Sequence, residues 1–448
     1  MGKYFGTDGV RGIANKDLTP EKAMALGRAG AYVLTKTATA APRVLIATDS
    51  RQSGDMLAAA LAAGLCSVGA RVYNVGVMPS PAVAFLVRHH KMDAGVMISA
   101  SHNPMPDNGI KFFNAQGYKL ADEIENEIEE YVDNPASLPR PVGADVGMIS
   151  GLESAKDDYV AYLLATVEGL DLNGINIAID CANGATSAVA PRVLEALGAN
   201  VHTLCNKPSG LNINEGCGST HTGLLAQYVQ QNKIDIGLAF DGDGDRMLAI
   251  DENGQLIDGD EILAICGYDL KQRGQLPGNA IVATSMSNQG LELMCKENDI
   301  TLHRTDVGDR YVLEKMLSDN LVLGGEQSGH VIFKAHSTTG DGVLAGLMLL
   351  SIMARAQKPI SVLRSVMEHF PQVLVNTRVK GNKNDWGKYP AITTAIAEAE
   401  AKLAGEGRIL VRPSGTEALV RVMIEGRNEA EISTMANEIA GVISNTLV

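Results

Sequence analysis

One arrangement occurs three times in this sequence: a short apolar run, a polar loop, a helical stretch and a second apolar run. The three copies begin at residues 43, 175 and 279. Strands that alternate with helices are typical of α/β domains. The copies are too few and too long for a solenoid. We therefore expect three similar α/β domains, each with a mixed sheet between helices.

The pattern changes after Phe370, where strand-like runs precede and follow a helical stretch and a last helix begins at Glu429. This order predicts a smaller C-terminal α+β domain. A segment rich in Pro, Gly and Ser, 133–151, is typical of a linker. The predicted domains are 1–152, 153–253, 254–368 and 369–448.

Composition restricts the kind of partner. The 448 residues carry a formal net charge of -14, which argues against nonspecific binding to nucleic acid or to an anionic membrane. The apolar stretch 343–354 is too short to cross a bilayer, and the first residues lack the apolar core of a signal peptide. Six cysteines are scattered without a C-x-x-C pair, so neither a zinc site nor a disulfide framework is indicated. We expect a cytoplasmic protein with reduced thiols.

In each repeat a further apolar run leads into an unusual loop. These loops begin after residues 98, 240 and 325, and they contain Ser101, the segment D-G-D-G-D-R at 241–246 and the segment E-Q-S-G-H at 326–330. Ligands of α/β sheets bind beyond the carboxyl ends of the strands. Equivalent loops of three repeated domains are therefore expected to face one central cleft.

Ser101 is a candidate nucleophile, because a hydroxyl fixed at the end of a strand can be activated by its neighbours. Pro104 keeps the loop out of a helix, since it lacks an N–H and disfavours helical geometry at Asn103. A plain polar turn is the alternative for a lone Ser-His pair.

Asp241, Asp243 and Asp245 alternate with glycines, so the backbone can curl and aim three carboxylates at one point. Hard cations such as Mg²⁺ bind such oxygen donors. An EF-hand also begins D-x-D-x-D, and Glu252 would fill its twelfth position, but Arg246 stands where that loop needs glycine. A solvated acidic turn is the remaining alternative.

The segment R-P-S-G-T-E at 412–417 offers a guanidinium, two hydroxyls and glycine-exposed backbone N–H groups. These groups match the oxygens of a phosphate, although a plain turn is the alternative. The signatures of P-loops, dinucleotide-binding folds, zinc proteases and the nucleophile elbow of hydrolases do not occur.

Four motifs follow one another in order: S-A-S-H-N-P at 99–104, D-G-D-G-D-R at 241–246, G-E-Q-S-G-H at 325–330 and R-P-S-G-T-E at 412–417. With these motifs the chain resembles the α-D-phosphohexomutase superfamily over essentially its whole length. Three more stretches, at 5–12, 107–113 and 307–312, are similar to the forms found in its bacterial amino-sugar branch.

The resemblance implies a role for each motif. The group implied to hold one Mg²⁺ per chain comprises phosphorylated Ser101, Asp241, Asp243 and Asp245. The groups implied in phosphoryl and proton transfer are Ser101, Lys111, His330 and Arg11. The residues implied in substrate binding are Arg246, Glu326, Ser328, Arg412, Ser414, Gly415, Thr416 and Arg421.

The activity implied is interconversion of glucosamine 6-phosphate and glucosamine 1-phosphate, which would feed UDP-N-acetylglucosamine and cell-wall precursor synthesis. Glucose or glucosamine 1,6-bisphosphate would serve as the phosphorylating primer. A mutase of glucose or mannose phosphates would carry the same motifs. A sugar-phosphate sensor would not need the nucleophile, and a phosphatase would result if water attacked the phosphoserine. A homodimer and an activating kinase stay open as partners, whereas nucleic acid and membranes are not expected.

Overall fold

The computed structural model describes residues 2–6, 8–36, 41–414 and 418–447. Within these ranges the chain forms two compact units. The first comprises residues 1–286 and 300–366, and the second comprises residues 287–299 and 367–448. The three repeats supply the first unit, except for the segment 287–299, which packs with the C-terminal residues. The predicted domain boundaries stay a prediction.

The first repeat forms a six-stranded sheet in the order β1-β5-β4-β2-β3-β6. Its strands are β1 Val10–Ile13, β2 Arg43–Thr48, β3 Arg71–Val77, β4 Ala94–Ile98, β5 Asp107–Asn114 and β6 Ile149–Gly151. Its helices are α1 Pro20–Leu34, α2 Ser53–Cys66, α3 Ser80–His89 and α4 Asp122–Asp133. The predicted linker is wrong in its last three residues, because β6 pairs in parallel with β3.

The second repeat forms a five-stranded sheet in the order β11-β10-β9-β7-β8. Its strands are β7 Asn176–Asp180, β8 Asn200–Leu204, β9 Ile236–Phe240, β10 Met247–Asp251 and β11 Leu256–Ile257. Its helices are α5 Ala155–Thr166, α6 Ala190–Ala196 and α7 Gly223–Asn232.

The third repeat forms a four-stranded sheet in the order β13-β12-β14-β15. Its strands are β12 Ala280–Thr284, β13 Thr301–Thr305, β14 Leu323–Gly325 and β15 Val331–Phe333. The helices of this stretch are α8 Gly259–Gln272, α9 Gln289–Glu297, α10 Asp309–Ser318, α11 Gly342–Ala356 and α12 Ile360–Arg364. Of these, α9 lies in the second unit.

The three sheets share one topology. In each, a central strand pairs in parallel with two neighbours, and the later neighbour pairs with an antiparallel strand. The connection into that antiparallel strand is the loop 99–106 in the first sheet, 241–246 in the second and 326–330 in the third. We call these the serine loop, the aspartate loop and the histidine loop. The prediction of three similar α/β domains with mixed sheets is confirmed.

Close helix packing closes the core of the first sheet. A Cβ at Gly64 of α2 would lie 2.2 Å from the carbonyl oxygen of Met24, and one at Gly27 of α1 would lie 2.5 Å from that of Leu61. Only glycine permits such backbone contact between α1 and α2. The apolar residues of both helices then cover β2 and β4.

The second unit contains a three-stranded antiparallel sheet in the order β16-β18-β17. Its strands are β16 Gln372–Arg378, β17 Gly407–Pro413 and β18 Leu419–Gly426, and its C-terminal helices are α13 Pro390–Leu403 and α14 Glu429–Thr446. Apolar residues of both helices form one core with the sheet, as expected for the smaller α+β domain. Among the described residues, no helix combines the length and apolar character needed to cross a bilayer.

Candidate active site

Ser101 lies at a fixed point in the serine loop. All five residues of β4 are buried, so the strand delivers the loop from the core of the sheet. Ser101 has a left-handed backbone with φ of 53°, and its side chain is buried. Its backbone N–H donates to Ser99 Oγ at 2.9 Å, and Ser99 Oγ donates to Asp49 Oδ2 at 2.6 Å. The backbone at Ser101 is thus held in place by Ser99 and Asp49.

Arg51 holds the carbonyl oxygens of this loop. Its Nη2 donates to Ser101 O at 3.0 Å and Asn103 O at 2.8 Å, and its Nη1 donates to Pro104 O at 2.5 Å and Asp107 O at 3.0 Å. A fully buried ion pair from Nε to Asp49 Oδ2, at 2.9 Å, fixes the guanidinium. One planar cation therefore defines the course of the whole loop.

The aspartate loop packs directly on the serine loop. A Cβ at Gly242 would lie 2.6 Å from Ser101 O, and Gly244 has a φ of 70°. Glycine is required at both positions, for close approach at the first and for left-handed backbone at the second. The sequence suggested that these glycines let the backbone curl. In the structure, Gly242 permits the close contact with Ser101, and Gly244 permits the left-handed backbone.

The three aspartates surround the serine hydroxyl and a lysine. Ser101 Oγ donates to Asp241 Oδ2 at 2.5 Å. Asp243 Oδ2 accepts from Lys111 Nζ at 2.9 Å and from Ser80 Oγ at 2.5 Å. Asp245 Oδ2 lies 3.7 Å from Lys111 Nζ. The structure thus brings together the predicted nucleophile, the predicted metal ligands and one predicted proton-transfer residue.

The aspartate triad fits a divalent cation. One oxygen from each carboxylate lies within 4.8 Å of the others. Burial and the two neighbouring carboxylates raise the pKa of Asp241, which shows that negative charge is crowded here. Asp243 Oδ1 and Asp245 Oδ1 are buried and have no hydrogen-bond partner among the described residues. Free, buried carboxylate oxygens of this kind are the donors that a hard metal ion prefers.

A chain of alternating charges extends from Lys111 to His330. Lys111 Nζ lies 3.0 Å from Asp8 Oδ2, and Lys119 Nζ lies 2.7 Å from Asp8 Oδ1 and 2.5 Å from Asp309 Oδ2. His330 Nε2 lies 3.5 Å from Asp309 Oδ2. Burial alone would raise the pKa of Asp8, but the lysines hold it well below its usual range. Asp8, Lys119 and Asp309 were not among the predicted site residues.

His330 has two polar neighbours besides Asp309. Gly340 N–H donates to its Nε2 at 3.0 Å, and its Nδ1 lies 3.6 Å from Asp245 Oδ2. Burial lowers the pKa of His330, but Asp245 and Asp309 outweigh burial and raise it. Arg11, another predicted residue, pairs with Asp8 in the same network, and its Nε has no hydrogen-bond partner among the described residues.

The predicted sugar-binding residues lie around the histidine loop. Glu326 Oε1 accepts from Gly308 N–H at 3.1 Å, and burial raises the pKa of Glu326. Ser328 Oγ and Arg246 Nε are buried without a hydrogen-bond partner in the described ranges. Buried polar atoms without hydrogen bonds destabilise the fold unless a ligand or a water molecule supplies the missing hydrogen bonds. The arrangement can accept a polar molecule.

Glu252 does not join the aspartate loop. Its carboxylate contacts Ser361, whose backbone N–H donates to Oε2 at 3.3 Å and whose hydroxyl donates to Oε1. The EF-hand alternative is therefore excluded by the position of its required twelfth ligand as well as by Arg246.

The predicted phosphate-binding residues that the structure describes lie together in the second unit. Arg412 of β17 stands opposite Arg421 of β18 in the antiparallel register. Ser414 is buried, its N–H donates to Leu419 O at 2.9 Å, and its carbonyl accepts from Lys383 Nζ. Arg421 Nε has no hydrogen-bond partner among the described residues. The predictions for Gly415 and Thr416 lie outside the described residues.

Comparison with known proteins identifies the family. Four domain profiles described as "Phosphoglucomutase/phosphomannomutase" match the chain: alpha/beta/alpha domain I at residues 2–138, domain II at 157–254, domain III at 258–370 and the C-terminal domain at 374–442. The chain belongs to the phosphoglucomutase/phosphomannomutase family. The resemblance drawn from its four motifs is thereby confirmed.

Relatives within the family cover the full chain. It is 53% identical to the phosphoglucosamine mutase of Ruminiclostridium cellulolyticum over 451 residues, and 53% identical to that of Acetivibrio thermocellus over 449 residues, with 100% of each chain covered in both cases. A crystal structure of a phosphoglucomutase/phosphomannomutase family protein from Burkholderia thailandensis matches with a TM-score of 0.82 and 23% identity, covering 99% of this chain and 97% of the other. The fold of this family is thus shared across low sequence identity.

Arg51 has a testable positioning role within this family fold. Arg51→Lys should lower kcat by about 10- to 100-fold with little change in KM, because Lys cannot reproduce the planar fork and the loop that carries Ser101, the candidate nucleophile, would shift. Steady-state kinetics on folded protein, checked by thermal melting, measures this. Arg43→Lys is the matched control, since Arg43 lies at the opposite end of β2 and donates to His90 O at 3.0 Å. Equal kcat values in both variants would refute the role.

Proposed function

We propose that this protein is a phosphoglucosamine mutase, an isomerase that interconverts glucosamine 6-phosphate and glucosamine 1-phosphate. The observation that carries the proposal is the 53% identity to phosphoglucosamine mutases along the whole chain. The site geometry supports it, because Ser101 Oγ lies 2.5 Å from Asp241 among buried acidic and cationic groups. Supply of the product to UDP-N-acetylglucosamine and cell-wall precursor synthesis, and a cytoplasmic location, belong to the same proposal.

In the proposed reaction, Ser101 carries a phosphoryl group and passes it to the O1 hydroxyl of glucosamine 6-phosphate. The resulting 1,6-bisphosphate turns over in the site and returns its 6-phosphate to Ser101. Lys111 and His330 exchange protons with the reacting hydroxyls, and Arg11 stabilises the phosphoryl group in transit. Phosphoryl transfer depends mainly on positioning and charge neutralisation, and the buried groups around Ser101 supply both.

The proposed cofactor is one Mg²⁺ held by Asp241, Asp243, Asp245 and the phosphorylated Ser101. When bound, the ion neutralises charge on the phosphoryl oxygens. Glucose or glucosamine 1,6-bisphosphate is the proposed primer, because an unphosphorylated Ser101 must first receive a phosphoryl group. Phosphorylation by an activating kinase would do the same, and a homodimer is compatible with the proposal.

Substrate binding is divided between two groups of residues. Glu326, Ser328 and Arg246 are proposed to hold sugar hydroxyls, since all three are half-buried polar residues and Ser328 Oγ and Arg246 Nε are buried atoms without a hydrogen-bond partner among the described residues. The residues proposed to bind the phosphate that is not reacting are Arg412, Ser414, Gly415, Thr416 and Arg421. Sequence and chemistry support this assignment, because cationic and hydroxyl groups match phosphate oxygens.

A ³¹P NMR time course tests the proposed function. Full-length protein receives Mg²⁺, trace hexose 1,6-bisphosphate and either glucosamine 6-phosphate or glucose 6-phosphate. The anomeric phosphate signal should grow much faster from the amino sugar, and Ser101→Ala should abolish it because the phosphoryl acceptor is lost. Faster growth of this signal from glucose 6-phosphate would indicate a general phosphohexomutase, and release of free phosphate alone would indicate a phosphatase. Full activity of Ser101→Ala would show that Ser101 is not the nucleophile.

Asp243→Asn tests the metal site. Loss of one charge from the triad should lower kcat by about 100- to 1,000-fold and weaken the dependence on Mg²⁺ concentration. Mg²⁺ titrations of the initial rate measure both effects. Asp235→Asn is the control, since Asp235 lies just before β9, at the opposite end of that strand from the aspartate loop. A titration curve identical to that of the unmodified protein would exclude Asp243 as a ligand.

Arg412→Ala tests the phosphate-binding residues. Loss of a charge-assisted hydrogen bond should raise KM by about 10- to 100-fold, with a smaller effect on kcat, because Arg412 is proposed to grip the phosphate that does not react. Arg378→Ala, an exposed change on β16 at the other edge of the same sheet, should leave KM unchanged. If KM for Arg412→Ala matches that control, the proposed phosphate site is wrong.

A further inference from the structure

The loop 206–216 supports the serine loop from the second sheet. Asn214 Nδ2 donates to Ser101 O at 2.8 Å and to Asn103 O at 3.0 Å. The carbonyl oxygen of Gly210 accepts from the N–H of Gln52, next to Arg51, at 2.9 Å. We call this segment the supporting loop. Its position bears directly on the position of the Ser101 hydroxyl, although it contains none of the predicted site residues.

A cysteine stands immediately at each end of the supporting loop. Cys205 precedes it and Cys217 follows it, and their Sγ atoms lie within 4.8 Å of each other and of an oxygen of Asp180. Cys205 has a left-handed backbone with φ of 45°, a conformation that a non-glycine residue keeps only when its surroundings enforce it. The fold thus places two thiols together that are twelve residues apart in sequence.

The two thiols differ in access and in ionisation. Cys205 is half-buried, whereas Cys217 is buried. A hydrogen bond from the Cys217 thiol lowers the pKa of Cys205, and the same contact together with burial raises the pKa of Cys217. A half-buried thiol whose pKa is lowered by contact with a second thiol is typical of a redox-active pair.

Both carboxylate oxygens of Asp180 already accept hydrogen bonds from the backbone. Its Oδ1 accepts from Ala182 N–H at 2.8 Å, and its Oδ2 accepts from Gly218 N–H at 2.9 Å. A metal ion at this cluster would have to compete with both hydrogen bonds for the third ligand. Oxidation of the two thiols removes the hydrogen bond between the Cys205 thiol and Asp180 but leaves both backbone hydrogen bonds of Asp180 in place, so the geometry favours a disulfide over a metal centre.

We propose that Cys205 and Cys217 form a reversible disulfide that closes the supporting loop and lowers turnover by displacing Ser101. The oxidant is a small-molecule disulfide. The Cys205 thiolate attacks one of its sulfur atoms, its S–S bond breaks, and one thiol leaves after taking a proton from solvent. Cys217 then loses its proton to solvent and attacks the Cys205 sulfur, which expels the second thiol. Two protein thiols are oxidised, and one external disulfide is reduced to two thiols.

The effect on Ser101 follows from the length of the new bond. Two sulfur atoms in non-bonded contact must approach to about 2 Å when they join. The ends of the supporting loop move with them, and Asn214 is part of that loop. Its hydrogen bonds to the carbonyl oxygens of Ser101 and Asn103 then change in length or break. The reacting hydroxyl moves relative to Asp241.

Peptide mapping tests the disulfide itself. Full-length protein is incubated with oxidised glutathione, quenched by acid, alkylated and digested with a protease that cleaves after glutamate. Cleavage at Glu215 separates Cys205, in peptide 196–215, from Cys217, in peptide 216–252. The two peptides should appear joined and should separate after dithiothreitol. A glutathione adduct on Cys205 without the joined pair would overturn the proposal, and this readout does not depend on the mutase activity.

Steady-state kinetics test the proposed effect of the disulfide on turnover. After oxidation, kcat of the unmodified protein should fall by about tenfold or more and return with dithiothreitol, since small displacements of reacting groups are costly. Cys205→Ser should keep its kcat under the same treatment. Cys66→Ser is the matched control and should lose kcat like the unmodified protein, because Cys66 is also half-buried but lies at the end of α2. Joined peptides with an unchanged kcat would overturn the proposed effect on turnover.

Discussion

Repulsion among three buried carboxylates is the constraint that organises the first unit. Asp241, Asp243 and Asp245 lie too close together to be stable without positive charge or hydrogen-bond donors nearby. Lys111 and Arg246 supply part of that compensation, and Ser80 and Ser101 donate hydrogen bonds. These groups come from different sheets and loops. The aspartate loop of the second repeat therefore depends on the first repeat to keep its folded position.

The repeated topology explains how such distant groups meet. In every sheet the functional loop joins a buried parallel strand to an antiparallel strand, so both of its ends are fixed by hydrogen-bonded backbone. Main-chain hydrogen bonds also join two of these loops to other elements: Met247 N–H of β10 donates to Gly329 O of the histidine loop at 3.1 Å, and Gly342 N–H of α11 donates to Gly244 O of the aspartate loop at 3.0 Å. The loops that carry the candidate site residues are thus fixed at both ends by strands of the sheets.

The parts of the site that could be predicted from sequence are those encoded by contiguous residues. Ser101 and the aspartate triad each follow an apolar run and carry their own turn residues, so residue type and spacing identified them. Asp8 and Asp309 lie in the stretches 5–12 and 307–312 that the sequence analysis noted, but neither was assigned a role, and Lys119 was not noted at all. The charges of these residues acquire a role only when three separate segments meet. Arg51 looked like one polar residue in an ordinary loop. Its four carbonyl partners exist only in the folded chain.

The same distinction holds for the fold. Alternation of strands and helices predicted the three repeats and the C-terminal sheet, since hydrophobic period is a local property. Which strands pair with each other depends on residues far apart in the sequence. The strand β6 was predicted as linker because its three residues carry no apolar pattern, and it exists through pairing with β3. The segment 287–299 was expected in the third repeat, and it packs in the second unit instead.

Left-handed backbone at non-glycine residues recurs around the serine loop, at Ser101, Ala182, Asn183, Cys205 and Asn214. Each such residue costs on the order of 1 kcal/mol, less for asparagine. These conformations persist only while the flanking sheets enforce them, so we expect local opening of the centre to precede global unfolding in native-state hydrogen exchange. A sample can therefore be fully folded by circular dichroism while a measurable share of its molecules lacks an ordered centre. Specific activity then reports local order, and it can fall well before the melting temperature is reached.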